Sequence, residues 1–128
     1  MNTGSPHCVV LKNDIDTLEI IKEAAKIRYA EPFKREGINV NYIATNESGE
    51  LQIRTYERGV ENETLACGTG AVAAAIAADF WSLDCQKSPM TIKALGGILK
   101  VGFDKTEQGY EKIVLSGPAE FVFSGKIL

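Results

Sequence analysis

The residues with the clearest chemical potential form one short segment, Glu63-Thr64-Leu65-Ala66-Cys67-Gly68-Thr69-Gly70. An apolar stretch that is predicted to form a helix follows this segment directly. The first amides of a helix lack internal partners and lie at the positive end of its dipole, so they can bind a carboxylate or a phosphate. The same position favours the thiolate form of a cysteine. The segment therefore predicts an anion cradle beside an activated cysteine.

Spacing alone leaves other interpretations of this segment open. A Gly-x-Gly pattern before a helix is common in proteins that bind nothing there, and a cysteine beside small residues often does no more than pack. The segment is not a nucleotide-binding P-loop, because no Lys-Ser or Lys-Thr pair follows the glycines. It also lacks the Gly-x-Gly-x-x-Gly pattern of dinucleotide-binding folds.

Two further groups of residues could take part in chemistry. Glu57 and Arg58 end a predicted strand, where they could offer a carboxylate to a substrate ammonium and a guanidinium to a substrate carboxylate. The alternative is a solvated surface pair. His7 is the only histidine, and a lone histidine is usually a structural hydrogen-bonding residue. Without a second histidine or a cysteine cluster, the sequence predicts no metal site.

These residues must be positioned by a mixed set of helices and strands. The alanine-rich helix predicted at about residues 68–81 is apolar on every face and must be buried on every face. Because its side chains are small, strands can wrap closely around it. A second helix is predicted at about residues 17–30, with Asp16 and Thr17 offering cap chemistry. Apolar, β-rich runs predict seven strands: His7 to Leu11, Val40 to Thr45, Leu51 to Glu57, Met90 to Ala94, Ile98 to Phe103, Lys112 to Leu115 and Glu120 to Phe123. The predicted fold is α+β, with a curved, mainly antiparallel sheet around the central helix.

Composition narrows the range of functions. The 128 residues suit one domain, and the net charge of −3 comes without a run of lysine or arginine. Nucleic acid and anionic membrane surfaces are therefore excluded as expected partners. The longest apolar run, Ala71 to Ala78, is too short to span a bilayer. No secretion signal is recognised, and three cysteines form no disulfide framework, so we expect a cytoplasmic protein.

The order of five motifs resembles that of diaminopimelate epimerases. They are Asn2-Thr3-Gly4-Ser5-Pro6-His7-Cys8-Val9, Gly37-Ile38-Asn39-Val40, Tyr56-Glu57-Arg58-Gly59, the Glu63–Gly70 segment, and Gly117-Pro118-Ala119-Glu120-Phe121-Val122-Phe123. The resemblance covers the chain from Asn2 to Ile127. The combination of Glu-Arg-Gly with Glu-Thr-x-Ala-Cys-Gly-Thr-Gly is far more specific than either motif alone.

The resemblance implies an isomerase that interconverts LL- and meso-2,6-diaminopimelate, a step of lysine and peptidoglycan biosynthesis. No pyridoxal phosphate, metal or other cofactor is expected. The family's fold pairs two pseudo-symmetric domains, each a sheet around a central helix, with the active site in the cleft between them. Each domain gives one cysteine: one thiolate removes the α-proton, and the opposite thiol protonates the other face.

The resemblance also assigns roles to individual residues. Cys67 would be the catalytic cysteine of the C-terminal domain. The backbone amides of Gly68 and Thr69 would hold the substrate α-carboxylate. Asn39 and Arg58 would grip the distal end of the substrate.

The resemblance implies three more site residues. Glu57 would lie near the reacting centre, with His7 beside Glu57 to help set its protonation. Ser5 stands where many relatives have asparagine, so its substrate contact would be shorter or mediated by water. One extra residue lies between Arg58 and Cys67 and is expected to change only a surface loop.

The largest departure from the family is the N-terminal domain with its Cys-Gly-Asn-Gly type of motif, which this sequence lacks. Cys8 and Cys85 have no flanking glycines and do not replace it. Residues 1–128 are therefore expected to form a single domain, the C-terminal half of a shortened or fragmentary epimerase that is inactive alone. The apolar face left by the missing domain could also drive homo-oligomerisation.

Two alternatives remain beside this interpretation. A related cofactor-independent racemase of another amino acid, of the proline type, would keep the paired thiols and change the substrate. Arg58 argues against it, because a second substrate carboxylate is the natural partner of this residue. A non-catalytic domain that binds a small anion or a protein would keep the helix terminus without the chemistry.

Overall fold

Seven strands and two helices make up the chain, which the computed structural model describes over residues 1–128. In chain order they are β1 (His7–Leu11), α1 (Ile20–Arg28), β2 (Asn39–Thr45), β3 (Leu51–Glu57), β4 (Asn62–Thr64), α2 (Gly68–Phe80), β5 (Met90–Ala94), β6 (Gly97–Thr106) and β7 (Gly109–Ser116). Neither helix has the length and apolar character needed to cross a bilayer.

All seven strands belong to one sheet in the order β1-β2-β3-β5-β6-β7, with β4 paired to β3 beside this path. The β1–β2 and β3–β5 pairs are parallel, and each is linked through a helix. The other four pairs are antiparallel. The predicted α+β class and mainly antiparallel sheet are thus confirmed. A turn at residues 46–49 joins β2 to β3, where the Asn46 side chain accepts hydrogen bonds from the amides of Ser48 and Glu50.

Helix α2 is the centre of the fold. It contacts every strand except β4, so the sheet curls around it. Its residues from Gly70 to Ala75, together with Ala77 and Ala78, are buried. The predicted thin, apolar helix over about residues 68–81 is confirmed, since alanine lets backbone and strands approach closely on all sides.

The sheet carries α2 on one face and α1 on the other. Because side chains alternate along a strand, Ile43 and Ile53 pack in the cluster around α2, whereas Tyr42 and Tyr56 pack in the cluster around α1. Helix α1 is shorter than the predicted 17–30. Its start is delayed because Asp14 accepts hydrogen bonds from the Asp16 amide and the Thr17 hydroxyl, which closes a turn before the helix.

The predicted strand at Glu120–Phe123 is wrong. Residues 117–128 form neither strand nor helix, and the side chains of Phe121, Val122 and Phe123 are exposed. Their apolar and β-branched character matches a strand, but a strand also needs a neighbouring edge with which to pair its backbone groups. No strand of the sheet pairs with this segment.

Candidate functional site

Strand alternation collects five polar side chains on the α2 face of β1, β2 and β3: His7, Asn39, Asn41, Thr55 and Glu57. The strand register aligns His7 with Asn39 and Asn41 with Thr55. Four of the five are buried, and Glu57 is half-buried. These positions continue the same face as the apolar residues that cover the body of α2. The sheet therefore becomes polar where it passes the start of α2.

Cys67 stands at that start. It is the N-cap of α2, with an extended backbone (φ −129°, ψ 109°), and its carbonyl accepts the first helical bond, from Ala71 at 2.8 Å. The N–H groups of Gly68, Thr69 and Gly70 have no acceptor within the chain. Three backbone donors and the positive end of the helix dipole thus lie beside a half-buried sulfur. An anion bound here would contact the peptide backbone next to the thiol.

The sulfur of Cys67 is connected to the buried histidine through Thr69. Thr69 Oγ1 lies 3.7 Å from Cys67 Sγ and 2.9 Å from His7 Nε2. The imidazole of His7 is 1 % exposed. Burial lowers the pKa of His7 below its ordinary value, and the nearby N-terminal ammonium lowers it further. The ring is therefore neutral near pH 7.

Behind the histidine lies Asn41, which makes three hydrogen bonds. Its amide nitrogen donates to His7 Nδ1 at 3.0 Å and to the carbonyl of Cys8 at 3.1 Å. Its amide oxygen accepts the hydroxyl of Thr55 at 3.0 Å. This buried side chain approaches α2 at Gly70, where an added Cβ would lie 2.5 Å from Asn41 Oδ1. A glycine at position 70 is what lets the amide fit beneath the start of the helix.

Asn39 links two loops at the rim of the site. Its amide nitrogen donates to Ser5 Oγ at 3.1 Å, and its amide oxygen accepts the backbone N–H of Arg58 at 2.9 Å. The guanidinium of Arg58 donates to the carbonyl of Glu36 at 2.8 Å. The structure thus brings Ser5, Asn39 and Arg58 together. Asn39 also has a structural role besides the substrate contact predicted for it, because its side chain holds the turn that carries Arg58.

The turn after β3 is fixed by Glu61, which has a positive φ of 55°. Its carboxylate accepts hydrogen bonds from Arg28, Tyr29, Tyr56 and the backbone of Gly59. Although desolvation opposes it, these bonds hold the pKa of Glu61 below its ordinary value. The segment with the extra residue is therefore a turn that Glu61 holds in place next to Glu57 and Arg58.

His7 and Glu57 share a face but no hydrogen bond. Both ring nitrogens of His7 are taken by Asn41 and Thr69. Glu57 acts on the ring through its charge alone, which raises the pKa of His7 against the larger effect of burial. The structure thus connects His7 to Cys67 through Thr69, and not to Glu57.

The other two cysteines lie away from the start of α2. Cys8 alternates to the opposite face of β1 and packs in the cluster around α1. Cys85 lies in the loop before β5, beside the turn at Gly49. Burial raises the pKa of both thiols. Of the three thiols, Cys67 alone sits beside free helix amides.

Sequence reasoning missed Asn41, Thr55 and Glu61. A signal for the first two was present, since each is a polar residue at a strand position that alternation assigns to the same face as an apolar core residue, Ile43 or Ile53. Glu61 left no such signal, because its partners come from α1 and β3 and meet only in the folded chain.

Comparison with known proteins gives a consistent picture. The family model described as "Diaminopimelate epimerase" matches residues 1–122. Diaminopimelate epimerase of Flavobacterium psychrophilum is 42% identical over 99% of this chain and 49% of the relative. That of Archaeoglobus fulgidus is 44% identical over 97% of this chain and 41% of the relative. The chain spans about half the length of the curated relatives it matches.

Solved structures with a similar fold are phenazine biosynthesis proteins of the PhzF family. The Bacillus anthracis protein has a TM-score of 0.57 and 25% identity over 84% of this chain and 33% of its own. The Enterococcus faecalis protein has a TM-score of 0.57 and 16% identity over 84% of this chain and 36% of its own. The half-fold of a sheet curled around one helix is therefore shared across these proteins.

Proposed function

This chain belongs to the diaminopimelate epimerase family, and from that premise we propose that it forms the half of an epimerase active site in which Cys67 is the acid/base thiol. The substrate would be 2,6-diaminopimelate, interconverted between its LL and meso forms. The observation that carries the proposal is the position of Cys67, which caps a buried apolar helix whose first three N–H groups have no acceptor in the chain.

The reaction needs a base on one face of the α-carbon and an acid on the other. The Cys67 thiolate would take the α-proton, and the electron pair of the broken C–H bond would remain on the substrate, spread over the α-carbon and its carboxylate. A second thiol on the opposite face would then give its proton to the α-carbon. After one turnover the two sulfurs have exchanged protonation states, and the reverse reaction restores them.

The helix terminus would stabilise the charge that develops on the carboxylate. Backbone N–H groups of Gly68 and Thr69 are fixed by the helix before substrate arrives, so they need no reorganisation as charge builds up. Exclusion of water would strengthen the same interactions. This scheme uses the substrate's own carboxylate as the electron acceptor and requires no cofactor.

The distal end of the substrate would be held by the rim of the site. Arg58 would pair with the second carboxylate, and Asn39 and Ser5 would add hydrogen bonds. Glu57, half-buried and without a hydrogen-bond partner for its side chain in this chain, would face the substrate ammonium near the reacting centre. His7 would act behind the thiol rather than on the substrate, since the structure buries it.

The second thiol would come from another domain of the kind that the longer relatives contain. Apolar side chains exposed near the start of α2 support such a partner. Leu65 is 70% exposed, and Leu95, Ile98 and Leu115 are also exposed. Covering these side chains would bury apolar surface and close the Cys67 side of a cleft at the same time.

The experiment joins this chain to the N-terminal half of the Flavobacterium psychrophilum relative and measures conversion of LL- to meso-diaminopimelate. We expect activity, and Cys67→Ala should lower it by about 10²- to 10⁴-fold, the range of general acid–base catalysis. Cys8→Ser is the matched control, because Cys8 faces the other side of the sheet, and it should retain activity.

Three results would count against the proposal. Epimerisation that survives Cys67→Ala would remove this thiol from the mechanism. A folded chimera that leaves diaminopimelate unchanged but racemises proline would move the function to a racemase of another substrate class. One that acts on neither amino acid would favour a binding domain.

A further inference from the structure

We propose that Asn41 is a positioning residue for Cys67, because it fixes the direction of each hydrogen bond between itself and the sulfur so that Thr69 donates its hydroxyl proton to Cys67. These hydrogen bonds, from Asn41 through His7 and Thr69 to Cys67, form a relay whose importance for turnover rests on the proposed acid/base role of Cys67. The relay itself does not depend on that role, because it follows from the hydrogen-bond donors and acceptors within the chain.

The orientation of the Asn41 amide is set by a group that can only accept. The carbonyl of Cys8 lies 3.1 Å from the amide nitrogen, and a carbonyl has no proton to give. A reversed amide would place two oxygens against each other there. The hydroxyl of Thr55, at 3.0 Å, supplies the proton that the amide oxygen accepts. Gly70 leaves the space for this oxygen.

The amide in turn selects the tautomer of the histidine. Its second N–H points at His7 Nδ1 at 3.0 Å, so Nδ1 must be the unprotonated nitrogen. Burial, first, and the N-terminal ammonium, second, lower the pKa of His7 and keep the ring neutral. A neutral ring with a bare Nδ1 carries its proton on Nε2. His7 Nε2 therefore donates to Thr69 Oγ1 at 2.9 Å.

The last step follows from the single proton of the Thr69 hydroxyl. Its oxygen already accepts from His7, which leaves the proton free for the sulfur 3.7 Å away. The residue is held in place at its backbone, since its carbonyl accepts the hydroxyl of Thr3 at 2.7 Å. A hydrogen bond donated to sulfur is stronger when the sulfur is anionic, so Thr69 would stabilise the charge that remains when Cys67 gives up its proton.

The relay would set the role of each sulfur before the substrate binds. Cys67 would be the base, and the opposite thiol would be the acid. The charged groups that act on His7 besides this relay are the N-terminal ammonium, Glu57 and Arg58. None of them is hydrogen-bonded to the ring, so the effect of a substitution at Asn41 on His7 can be separated from the effect of these charges.

One test reads the tautomer directly. The chain has a single histidine, so ¹⁵N-labelled histidine gives one imidazole whose long-range ¹H–¹⁵N spectrum identifies the protonated nitrogen. We expect the Nε2–H tautomer at pH 7 in the unaltered chain. In Asn41→Asp the carboxylate can only accept, so Nδ1 should carry a proton, and at a pH where the spectrum shows a neutral ring Nε2 should be bare. An Nδ1–H tautomer in the unaltered chain would overturn the proposal without any substitution.

A second test reads the sulfur. Thr69→Val keeps the shape and removes the hydroxyl, and we expect iodoacetamide to alkylate Cys67 about tenfold more slowly at pH 7, as befits one hydrogen bond to a charged acceptor. The pH profile of the reaction should move to higher pH. Thr69→Ser should restore the rate. Alkylation of Cys8 in the same samples is the internal reference and should not change.

Comparing the alkylation rates of the single and double variants of Asn41 and Thr69 distinguishes a positioning role from a general loss of stability. At a pH where the spectrum shows a neutral ring, Asn41→Asp alone should slow alkylation of Cys67 as Thr69→Val does, because Thr69 would then donate to His7. The double variant should be no slower than Thr69→Val, since both act on the same proton. An unchanged rate in Thr69→Val, or fully additive losses in the double variant, would refute the relay. Both tests run without substrate, so a lack of epimerase activity would count against the proposed function alone.

Discussion

Substituting Gly70 by alanine should destabilise the protein although alanine is the better helix former. In an open helix, glycine to alanine adds about 1 kcal/mol to stability. Here the new Cβ would lie 2.5 Å from Asn41 Oδ1 and 3.3 Å from Cys67 Sγ. Moving the amide oxygen out to 3.0 Å takes about 0.5 Å (3.0 − 2.5), a shift large enough to stretch its 3.0 Å bond from Thr55 to the limit of a hydrogen bond.

The magnitude follows from these opposing effects. A buried polar group left without its partner costs about 1–3 kcal/mol, and overpacking a tight site costs a similar amount. After the gain in helix propensity is subtracted, we expect a net loss of about 1–5 kcal/mol. For a chain of this size that loss lowers Tm by about 4–18 °C.

Urea denaturation of Gly70→Ala, followed by far-UV circular dichroism, measures the free energy of unfolding. The matched control places the same change in an Asn41→Ala background, where the opposing oxygen is gone. There Gly70→Ala should be neutral or stabilising. Equal destabilisation in both backgrounds, or a stabilised Gly70→Ala protein, would refute the reasoning that the Asn41 contact requires glycine.

Three further predictions concern reactivity, stability and pH. Cys67 should be alkylated at pH 7 faster than Cys8 and Cys85, because burial raises the pKa of the latter two and so reduces their thiolate. Peptide mapping by mass spectrometry gives the three rates, and equal rates would contradict the assigned site. Glu61→Gln should lower the free energy of unfolding by about 1 kcal/mol, because one carboxylate accepts hydrogen bonds from three side chains and a backbone amide. Urea titration measures this loss. An unchanged midpoint would mean that other contacts hold the turn. Burial lowers the pKa of His7 in the folded protein, so the unfolded chain binds its proton first, and stability should fall as pH drops below about 6.5. The slope should shrink in His7→Gln, and a slope retained in that variant would assign the effect to other groups.

Much of the fold could be predicted from local patterns. Helix α2 was predictable because a run of alanines with no polar face has only one stable environment, a buried one. Six of the seven predicted strands exist, since apolar β-rich runs between turn residues are local signals. The predicted strand at Glu120–Phe123 failed because pairing depends on a partner edge, which no local pattern encodes. The early start predicted for α1 failed because Asp14 offers the backbone a competing turn.

The sequence by itself determined which reactive groups are present and which family they indicate. It has a cysteine before a glycine-flanked helix start, and its motif order belongs to one family. Residue type and spacing suffice for this because helix termini and their donors are local features of the chain. Tertiary structure alone decided what stands behind the sulfur. Asn41 and His7 are connected to Cys67 through Thr69 only because two parallel strands, far apart in sequence, turn alternate side chains toward the same end of α2. The direction of a hydrogen bond depends on every partner that competes for the same proton, and those partners meet only when the sheet closes around the helix.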